Sequence, residues 1–433
     1  MIILIFKIQK SLVKMLKDIL IYLSAFIGVF AVSYYALSLF SSRKYEKPRD
    51  FKDSELPTVS IVIPVLNEEK TVKRTIESAL NLIYPKEKME IILVDDGSTD
   101  GTYEIAKSIK DERLKVFFRG KDGGKGKAHV VNFGIPKAKG ELIVTMDADS
   151  FVEKDALRKM VNYFTNEKVM CVTPSMAVYK PKGFLGRLQQ AEYLVGIFLR
   201  KAFSTMNAIH VTPGAFSSYR KSFFDKYGLF DCDGHLTEDM EMALRIQSKG
   251  YSLKCSEDSV VYTNVPTDFK SLWKQRRRWY HGWIHLLLKY RKLFSKKYGH
   301  MGTIVLPVAV LSILISIILT IYILFSTLSN LKNEFIYLQS VNFSFSGVFD
   351  LSWFTIERFL FYFFSKPSSI ILLIFLGISI FYLLFAKRRV REHSNALVGM
   401  VFFIIFYSTF LTFWWLTSAF YYFVLGKVSW GKQ

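Results

Sequence analysis

At 433 residues the chain is long for one domain and predicts about two. It is 51% hydrophobic and 16% aromatic yet still 22% charged, a mixture that predicts a soluble domain joined to membrane segments. The formal net charge of +21 suits nucleic acid or an anionic membrane surface, and the Lys and Arg cluster beside apolar stretches, so the membrane is expected and no nucleic-acid partner.

Residues 18–40 are apolar almost throughout and long enough to cross a bilayer core. Lys7, Lys10, Lys14 and Lys17 precede the stretch and Arg43, Lys44, Lys47 and Arg49 follow it, so charge does not orient it. It is too long for a removed signal peptide and lacks a small-residue cleavage site, which makes 1–42 an expected anchor. From 57 to 265 strands alternate with helices: Val59–Pro64 strand, Lys70–Leu82 helix, Glu90–Val94 strand, Thr102–Ile109 helix, Lys115–Phe118 strand, Ala128–Phe133 helix, Glu141–Met146 strand. That alternation predicts an α/β fold with a mostly parallel sheet, in a domain spanning 43–300. Ligands in such sheets sit beyond the carboxyl ends of the strands, where Asn67, Asp95, Asp96, Asp147 and Asp149 fall.

After Tyr290 come Arg291, Lys292, Lys296 and Lys297 and then three apolar stretches, about 303–326, 369–386 and 397–425, in a C-terminal membrane region 301–433. The segment 327–368 is aromatic and nearly charge-balanced, and partly interfacial in expectation. Basic loops at 291–297 and 387–391 should share the cytoplasmic side, which puts 43–300 in the cytoplasm of a multi-pass cell-membrane protein. Cys171, Cys232 and Cys255 lack CxxC spacing, so neither a zinc site nor a disulfide framework is indicated, and a reducing compartment fits them.

Seven short motifs carry chemistry. Glu141-Leu-Ile-Val-Thr-Met-Asp-Ala-Asp-Ser150 runs a strand into Asp147 and Asp149, and Ser150 onward reads as a helix start. Such a pair can hold a hard divalent ion that takes its remaining ligands from water and phosphate; the plain alternative has Asp149 capping the next helix. Val62-Ile-Pro-Val-Leu-Asn-Glu-Glu69 and Val94-Asp-Asp-Gly-Ser-Thr-Asp100 end strands in polar turns, where Asp96 can bond a nucleobase or ribose and Gly97 lets the backbone approach. A plain turn explains Asp-Gly-Ser equally well.

Arg119-Gly-Lys-Asp-Gly-Gly-Lys-Gly-Lys127 is not a Walker A loop, because Gly120 and Gly126 are one residue too far apart and Ala128 replaces Ser or Thr. It can still bind a diphosphate through Lys127 and free amides, or be a solvated basic loop. Leu236-Thr-Glu-Asp-Met-Glu-Met-Ala-Leu-Arg245 places acids in a helix's first turn, where they also serve the helix dipole. Thr212-Pro-Gly-Ala-Phe-Ser-Ser-Tyr-Arg220 is a small-residue turn suited to floor an acceptor pocket. Gln275-Arg-Arg-Arg-Trp279 puts Gln275, Arg278 and Trp279 on one helix face, either snorkelling at headgroups or offering Arg278 to a pyrophosphate and Trp279 to a sugar ring. His281 and His285 have the spacing of metal ligands without a third partner.

The order Pro-x-x-Asn-Glu, Asp-Asp-Gly-Ser, Gly-Lys-Ala, Asp-x-Asp, Thr-Glu-Asp, Gln-x-x-Arg-Trp resembles the family 2 glycosyltransferases, most of all the membrane-embedded synthases of cellulose, hyaluronan and poly-N-acetylglucosamine, over residues 57–285. The resemblance implies a GT-A-like fold. It further implies Glu68 and Asp96 on the nucleoside with Asn67 beside them, Lys127 on the donor, and Asp147 and Asp149 on Mg2+ or Mn2+. It makes Asp239 the general base and puts Gln275, Arg278 and Trp279 in the donor and acceptor pocket, with Glu238 and Gly214 on the acceptor side. Arg187-Leu-Gln-Gln-Ala-Glu-Tyr-Leu-Val-Gly-Ile-Phe198 resembles the family's interface helices. The chain departs from the synthases in its few membrane helices and in the segment 327–368.

A nucleoside diphosphate leaving group needs charge neutralisation more than a proton, and an acceptor hydroxyl needs a base. The expected function is therefore inverting, metal-dependent sugar transfer from a nucleotide sugar, UDP by resemblance, to a growing polysaccharide. The alternatives are single transfer to a polyprenyl phosphate or glycolipid and, against the intact set Asp147, Asp149, Asp239 and Gln275–Trp279, a non-catalytic scaffold. Expected partners are the nucleotide sugar, a polysaccharide or lipid-linked acceptor, membrane lipids, and a second copy in a homo-oligomer.

Overall fold

The computed structural model describes residues 2–42, 48–120, 123, 126–232, 237–340, 352–389 and 397–426. The basic residues Arg43, Lys44, Lys47 and Arg391, loop positions 121–122 and 124–125, and the segment 341–351 lie outside the described residues.

A long helix α1 (Ile2–Ser42) leads into β1 (Val59–Val65), α2 (Val72–Leu80), β2 (Met89–Asp95), α3 (Thr102–Ser108), β3 (Leu114–Phe118), α4 (Lys127–Gly134) and β4 (Leu142–Thr145). Then follow β5 (Ser150–Val152), α5 (Ala156–Val161), β6 (Val169–Val178), α6 (Gly183–Thr205), β7 (Ser217–Arg220), α7 (Lys221–Tyr227), α8 (Glu238–Ser248), β8 (Ser252–Thr263) and α9 (Phe269–Lys289). Among the described residues, four apolar helices follow: α10 (Leu306–Ser340), α11 (Trp353–Phe364), α12 (Pro367–Arg389) and α13 (Leu397–Phe420).

The strands form one sheet in the order β3-β2-β1-β4-β7-β6-β8-β5. The first four pair in parallel, with Val62 opposite Ile92 and Val59 opposite Leu142, while β7 and β5 join antiparallel. Strands covered on both faces must be apolar throughout, which is why Val-Ser-Ile-Val-Ile and Ile-Ile-Leu-Val read as runs rather than alternations. One face carries a core of Ile61, Ile63, Leu93, Ile76, Leu157 and Phe216, the other a core of Val62, Ile92, Val131, Phe223, Met242 and Ile246. The seven elements expected between 59 and 146 are all present, and the fold is GT-A-like.

One expectation is corrected. Ser150–Val152 is a strand, not the start of a helix, and pairs antiparallel with Val261–Thr263 of β8; helix α5 waits until Ala156, with Asp155 at its N-cap. The ring of Phe151 decides it: it stacks on Tyr262 at 5.5 Å, meets Tyr179 edge-on at 4.6 Å, and lies under the Arg74 guanidinium at 3.5 Å. Asp149 therefore ends a turn between two strands and caps no helix.

The resembled interface helix is part of α6, which lies between the sheet and the apolar helices rather than on a free surface. It packs on β6 and β8 and also on α1, α12 and α13. Phe198 stacks on Tyr382 with ring centroids 4.0 Å apart, Phe184 meets Phe402 edge-on at 4.7 Å, and the Tyr382 hydroxyl donates to the Val32 carbonyl at 2.7 Å.

Among the described residues, Asp18–Leu39 and Met301–Ser340 are long and apolar enough to cross a membrane. Two helix pairs pass only together and are bent: Trp353–Phe364 with Ser369–Phe385 by 81°, and Val398–Ile404 with Thr409–Leu425 by 54°. The helix from 306 runs on to Ser340, so the start of the supposed interfacial segment 327–368 continues it, exposing Leu328, Leu331, Phe335 and Ile336. No Gly or Pro interrupts 327–340, which leaves nothing to end the helix where the apolar stretch ends.

Candidate active site

Because β1, β2 and β4 run parallel, their carboxyl ends share one edge of the sheet, and the turns that follow converge on a cavity of about 640 Å³. Glu68, Asp96, Lys127, Asp147, Asp149, Gly214, Glu238, Asp239, Gln275, Arg278 and Trp279, the whole predicted set except Asn67, line it.

After β2, the fully buried Asp95 accepts hydrogen bonds from the amides of Gly97 (2.9 Å) and Ser98 (2.7 Å), which locks the turn. Its neighbour Asp96 faces the cavity and accepts a hydrogen bond from Arg119 Nη1 at 2.7 Å. Asn67, in the left-handed region at φ 57°, ties this turn to the one after β1: its amide donates to Ser98 Oγ (2.9 Å) and its Oδ1 accepts from the Thr99 amide (2.8 Å). Asn67 thus braces the turns after β1 and β2 without lining the cavity. Glu68 does line it, and burial, aided by Asp100 and Asp147, raises its carboxyl above the usual range although Thr71 donates to it.

Lys127 opens α4, and its ammonium pairs with Asp147 and lies 3.5 Å from Glu238 Oε1. Burial works against its charge, yet Asp147, Glu238 and Asp239 together hold its pKa above the ordinary lysine value. The Asp149 carboxylate accepts a 3.3 Å hydrogen bond from Ser150 Oγ, and burial, Asp147 and Glu68 push it up to about 7. Two hard carboxylates at one strand end, one of them left short of positive charge, fit a divalent cation that shares its other positions with phosphate and water. Among the described residues no cluster of three or more acidic, His or Cys side chains forms a closed metal site, so an ion here would be completed by substrate. Gly214 keeps the space: a Cβ there would run into Lys127 Nζ and stand 3.4 Å from both Asp147 carboxylate oxygens.

Glu238 and Asp239 open α8. Thr212 Oγ1 donates to the Asp239 carbonyl at 2.6 Å and receives the Tyr219 hydroxyl at 2.8 Å, which fastens the small-residue turn to the acidic one. The Asp239 carboxylate accepts the Met240 amide at 2.8 Å. Burial and Glu238 push it up to about 6, against the pull of Lys127 and Arg278. A carboxyl poised near neutrality suits proton abstraction. Helix α9 closes the cavity from the opposite side, and a side chain at its Gly282 would strike Thr237, so α9 lies directly against the start of α8. Gln275 Oε1 and Arg278 Nε are buried with no hydrogen-bond partner among the described residues, as expected of groups that satisfy themselves on a ligand.

Residues 60–228 match the family described as Glycosyl transferase family 2. Over this stretch the chain resembles the family 2 glycosyltransferases. The chain is 31% identical over 246 residues to the poly-beta-1,6-N-acetyl-D-glucosamine synthase of Staphylococcus aureus (strain COL), a match that covers 56% of this chain and 58% of that one. It is 32% identical over 248 residues to the probable glycosyltransferase YdaM of Bacillus subtilis (strain 168), covering 56% and 59%. The matched part thus spans less than two thirds of these relatives' length. In fold it is similar to the mannosyltransferase PcManGT from Pyrobaculum calidifontis, solved in complex with GDP-Man and Mn2+: TM-score 0.51, 21% identity, 75% of this chain and 95% of that one.

The family 2 match contains the predicted site residues from Asn67 to Gly214 but ends before Glu238, Asp239 and the Gln275–Trp279 face. The tertiary fold brings those to the same cavity. It also brings residues that sequence reading missed, chiefly Glu192, Tyr193 and Arg200 of α6, His210, and Tyr280 and Trp283 of α9. The one available signal was Glu192, the single acid of α6. His281 and His285 instead pack against Tyr422, with ring centroids 5.0 and 6.3 Å away.

Proposed function

We propose that the protein moves a sugar from a nucleoside diphosphate to a hydroxyl of a growing polysaccharide, with inversion, at the cytoplasmic face of a membrane. The observation that carries this reading is that Asp239 lines the same cavity as Lys127, Asp147, Asp149, Arg278 and Trp279. A base and a diphosphate-binding end in one enclosure are what a direct displacement needs.

Glu68 and Asp96, with Arg119 behind Asp96 and Asn67 bracing the loops, would hold the nucleoside. Lys127 and Arg278 would meet the diphosphate. Mg2+ or Mn2+ held by Asp147 and Asp149 would neutralise charge developing on the leaving diphosphate. Trp279 offers a flat face to the acceptor's terminal sugar, with Glu238 and Gly214 at the same end. Asp239 takes the proton of the acceptor hydroxyl as its oxygen bonds to the anomeric carbon, and the diphosphate departs with the electron pair of the bond that breaks. A single base supports one displacement and inversion of configuration.

The membrane assignment rests on 1–42 as an anchor carried by α1, a catalytic unit over 43–300, and a membrane region 301–433 whose described residues include the apolar helices α10 to α13. The basic stretch 291–297 would lie on the cytoplasmic side. The likeness to the poly-N-acetylglucosamine synthase supports polymer formation and puts UDP-N-acetylglucosamine first among donors to try. The test is the purified protein in lipid nanodiscs with a panel of labelled nucleotide sugars and Mn2+ or Mg2+, followed by product sizing. A ladder or high-mass product at low acceptor supports the proposal. A one-sugar lipid product with excess donor overturns the polymer reading, and no incorporation of any sugar overturns the transfer.

A further inference from the structure

Beside the cavity, three helices meet on a buried charge. Arg276 of α9 is fully buried, and its Nη2 donates to Glu192 Oε2 of α6 at 2.7 Å. The other carboxylate oxygen of Glu192 accepts the hydroxyl of Tyr407, on α13, at 3.0 Å. The Arg276 guanidinium lies 4.2 Å from the ring centroid of Trp279 and 5.6 Å from that of Trp414, itself on α13 and almost completely buried. Of these residues Glu192 and Trp279 line the cavity, and Tyr407, Trp414 and Arg276 do not.

A buried ion pair is costly to desolvate, and an apolar replacement often serves stability better. What a guanidinium–carboxylate pair provides that an apolar contact does not is direction: the single Nη2–Oε2 hydrogen bond fixes where the guanidinium lies, and the Trp279 ring packs against that guanidinium. Glu192 is in turn held by a hydroxyl from a different helix. The plane of Trp279 is thereby tied, through two side chains, to where α13 sits.

We propose that Tyr407, Glu192 and Arg276 act as positioning residues that set the plane of Trp279 from the seating of the membrane helix α13, so that acceptor recognition depends on the packing of the membrane region. This rests on the reading of Trp279 as the acceptor's stacking face. Glu192 and Arg276 belong to α6 and α9, which form cavity wall, and Tyr407 reports the position of α13. A shift of α13 in the bilayer would reach the acceptor end of the site while leaving the strand-end carboxylates that face the donor untouched.

The test uses the full chain in nanodiscs with Tyr407→Phe, Glu192→Gln and the double variant. Tyr407→Phe removes one hydroxyl outside the cavity and is expected to raise the acceptor KM about threefold to tenfold, with donor KM and UDP affinity within about twofold of wild type. Glu192→Gln should raise it further, and the double variant should be no worse than Glu192→Gln alone, because both act through one carboxylate. Acrylamide quenching of Trp279, read as the difference from Trp279→Phe, should change in Tyr407→Phe in the absence of any substrate. Unchanged quenching, or fully additive effects, overturns the positioning role; failure of the wild type to transfer sugar would instead sink the proposed reaction, since quenching needs no turnover. If Glu192→Gln does not fold, Tyr407→Phe decides alone.

Discussion

Lys127 at the first turn of α4 and Asp147 just past β4 form an ion pair that joins the Gly-rich loop to the Asp-x-Asp turn. The lysine expected to face a diphosphate thus lies against one of the two carboxylates expected to face the metal. A metal–diphosphate complex would take both partners, exchanging an internal pair for two contacts to ligand.

Replacing Lys127 by Gln should therefore weaken nucleoside-diphosphate binding about tenfold to a hundredfold, the usual worth of a charge-assisted hydrogen bond. Calorimetric titration with UDP and Mn2+ reads it directly, and an unchanged affinity would remove Lys127 from the donor site.

Asp149→Ala should abolish the metal dependence of that same binding, since the carboxylate with the least positive compensation would be gone. The check is titration with and without chelator: wild-type affinity should fall on adding EDTA, while the variant's should already be low and stay there. Strong, chelator-insensitive binding by the variant contradicts the assignment.

Asp239→Asn should retain nucleotide binding and slow transfer by about 10²–10⁴-fold, the typical contribution of a positioned base. The wild-type kcat/KM should fall on the acid side of about pH 6, where the carboxyl protonates. Stability moves the opposite way. The folded-state pKa lies above the unfolded value, so the protonated form is favoured by folding, and stability declines as pH rises from about 4 to about 6 and is level above. Removing that charge should raise the melting temperature by about 2–4 °C at pH 8 and by little at pH 4, by differential scanning fluorimetry. A variant melting lower than wild type at pH 8 would contradict the cause given for the shift.

Gly214→Ala tests the crowding around the Lys127–Asp147 pair. The end of a lysine chain can move aside, so the unfolding midpoint should change by less than about 1 kcal/mol in equivalent stability. Displacing the ammonium should nevertheless raise the donor KM about tenfold or more, because positioning errors near 1 Å are felt strongly in sites of this kind. A variant with wild-type donor KM would show that Gly214 serves only the turn.

The path from β1 to β4 was legible because its signals are local. Buried parallel strands need unbroken apolar runs, turns need Asn, Asp and Gly, and the expected elements between 59 and 146 fall within two residues of those observed. Asp147 and Asp149 could be placed at a strand end on the same grounds, since the apolar run of β4 stops just before them. The family resemblance supplied the grouping of Asp239 and Gln275–Trp279 with the strand-end acids, although more than 100 residues separate Asp149 from Arg278.

What neighbours in sequence cannot specify is partner choice. Ser150-Phe-Val152 is too short to declare itself a strand, and becomes one only because β8, about 110 residues later, offers an edge and Tyr262 a ring. Asn67 carries the right motif, but its left-handed backbone and the Ser98–Thr99 turn assign it to bracing. Glu192 looked like one polar position in an amphipathic helix, and its place beside Arg276, Tyr407 and the cavity exists only once α6, α9 and α13 have packed together. Periodicity and turn chemistry are written within a few residues, so the sequence by itself determined the element types from β1 to β4 and the carboxylates at the strand ends. Pairing, burial of charge and the walls of the cavity are summed over contacts distant in the chain, and those only the tertiary structure decided.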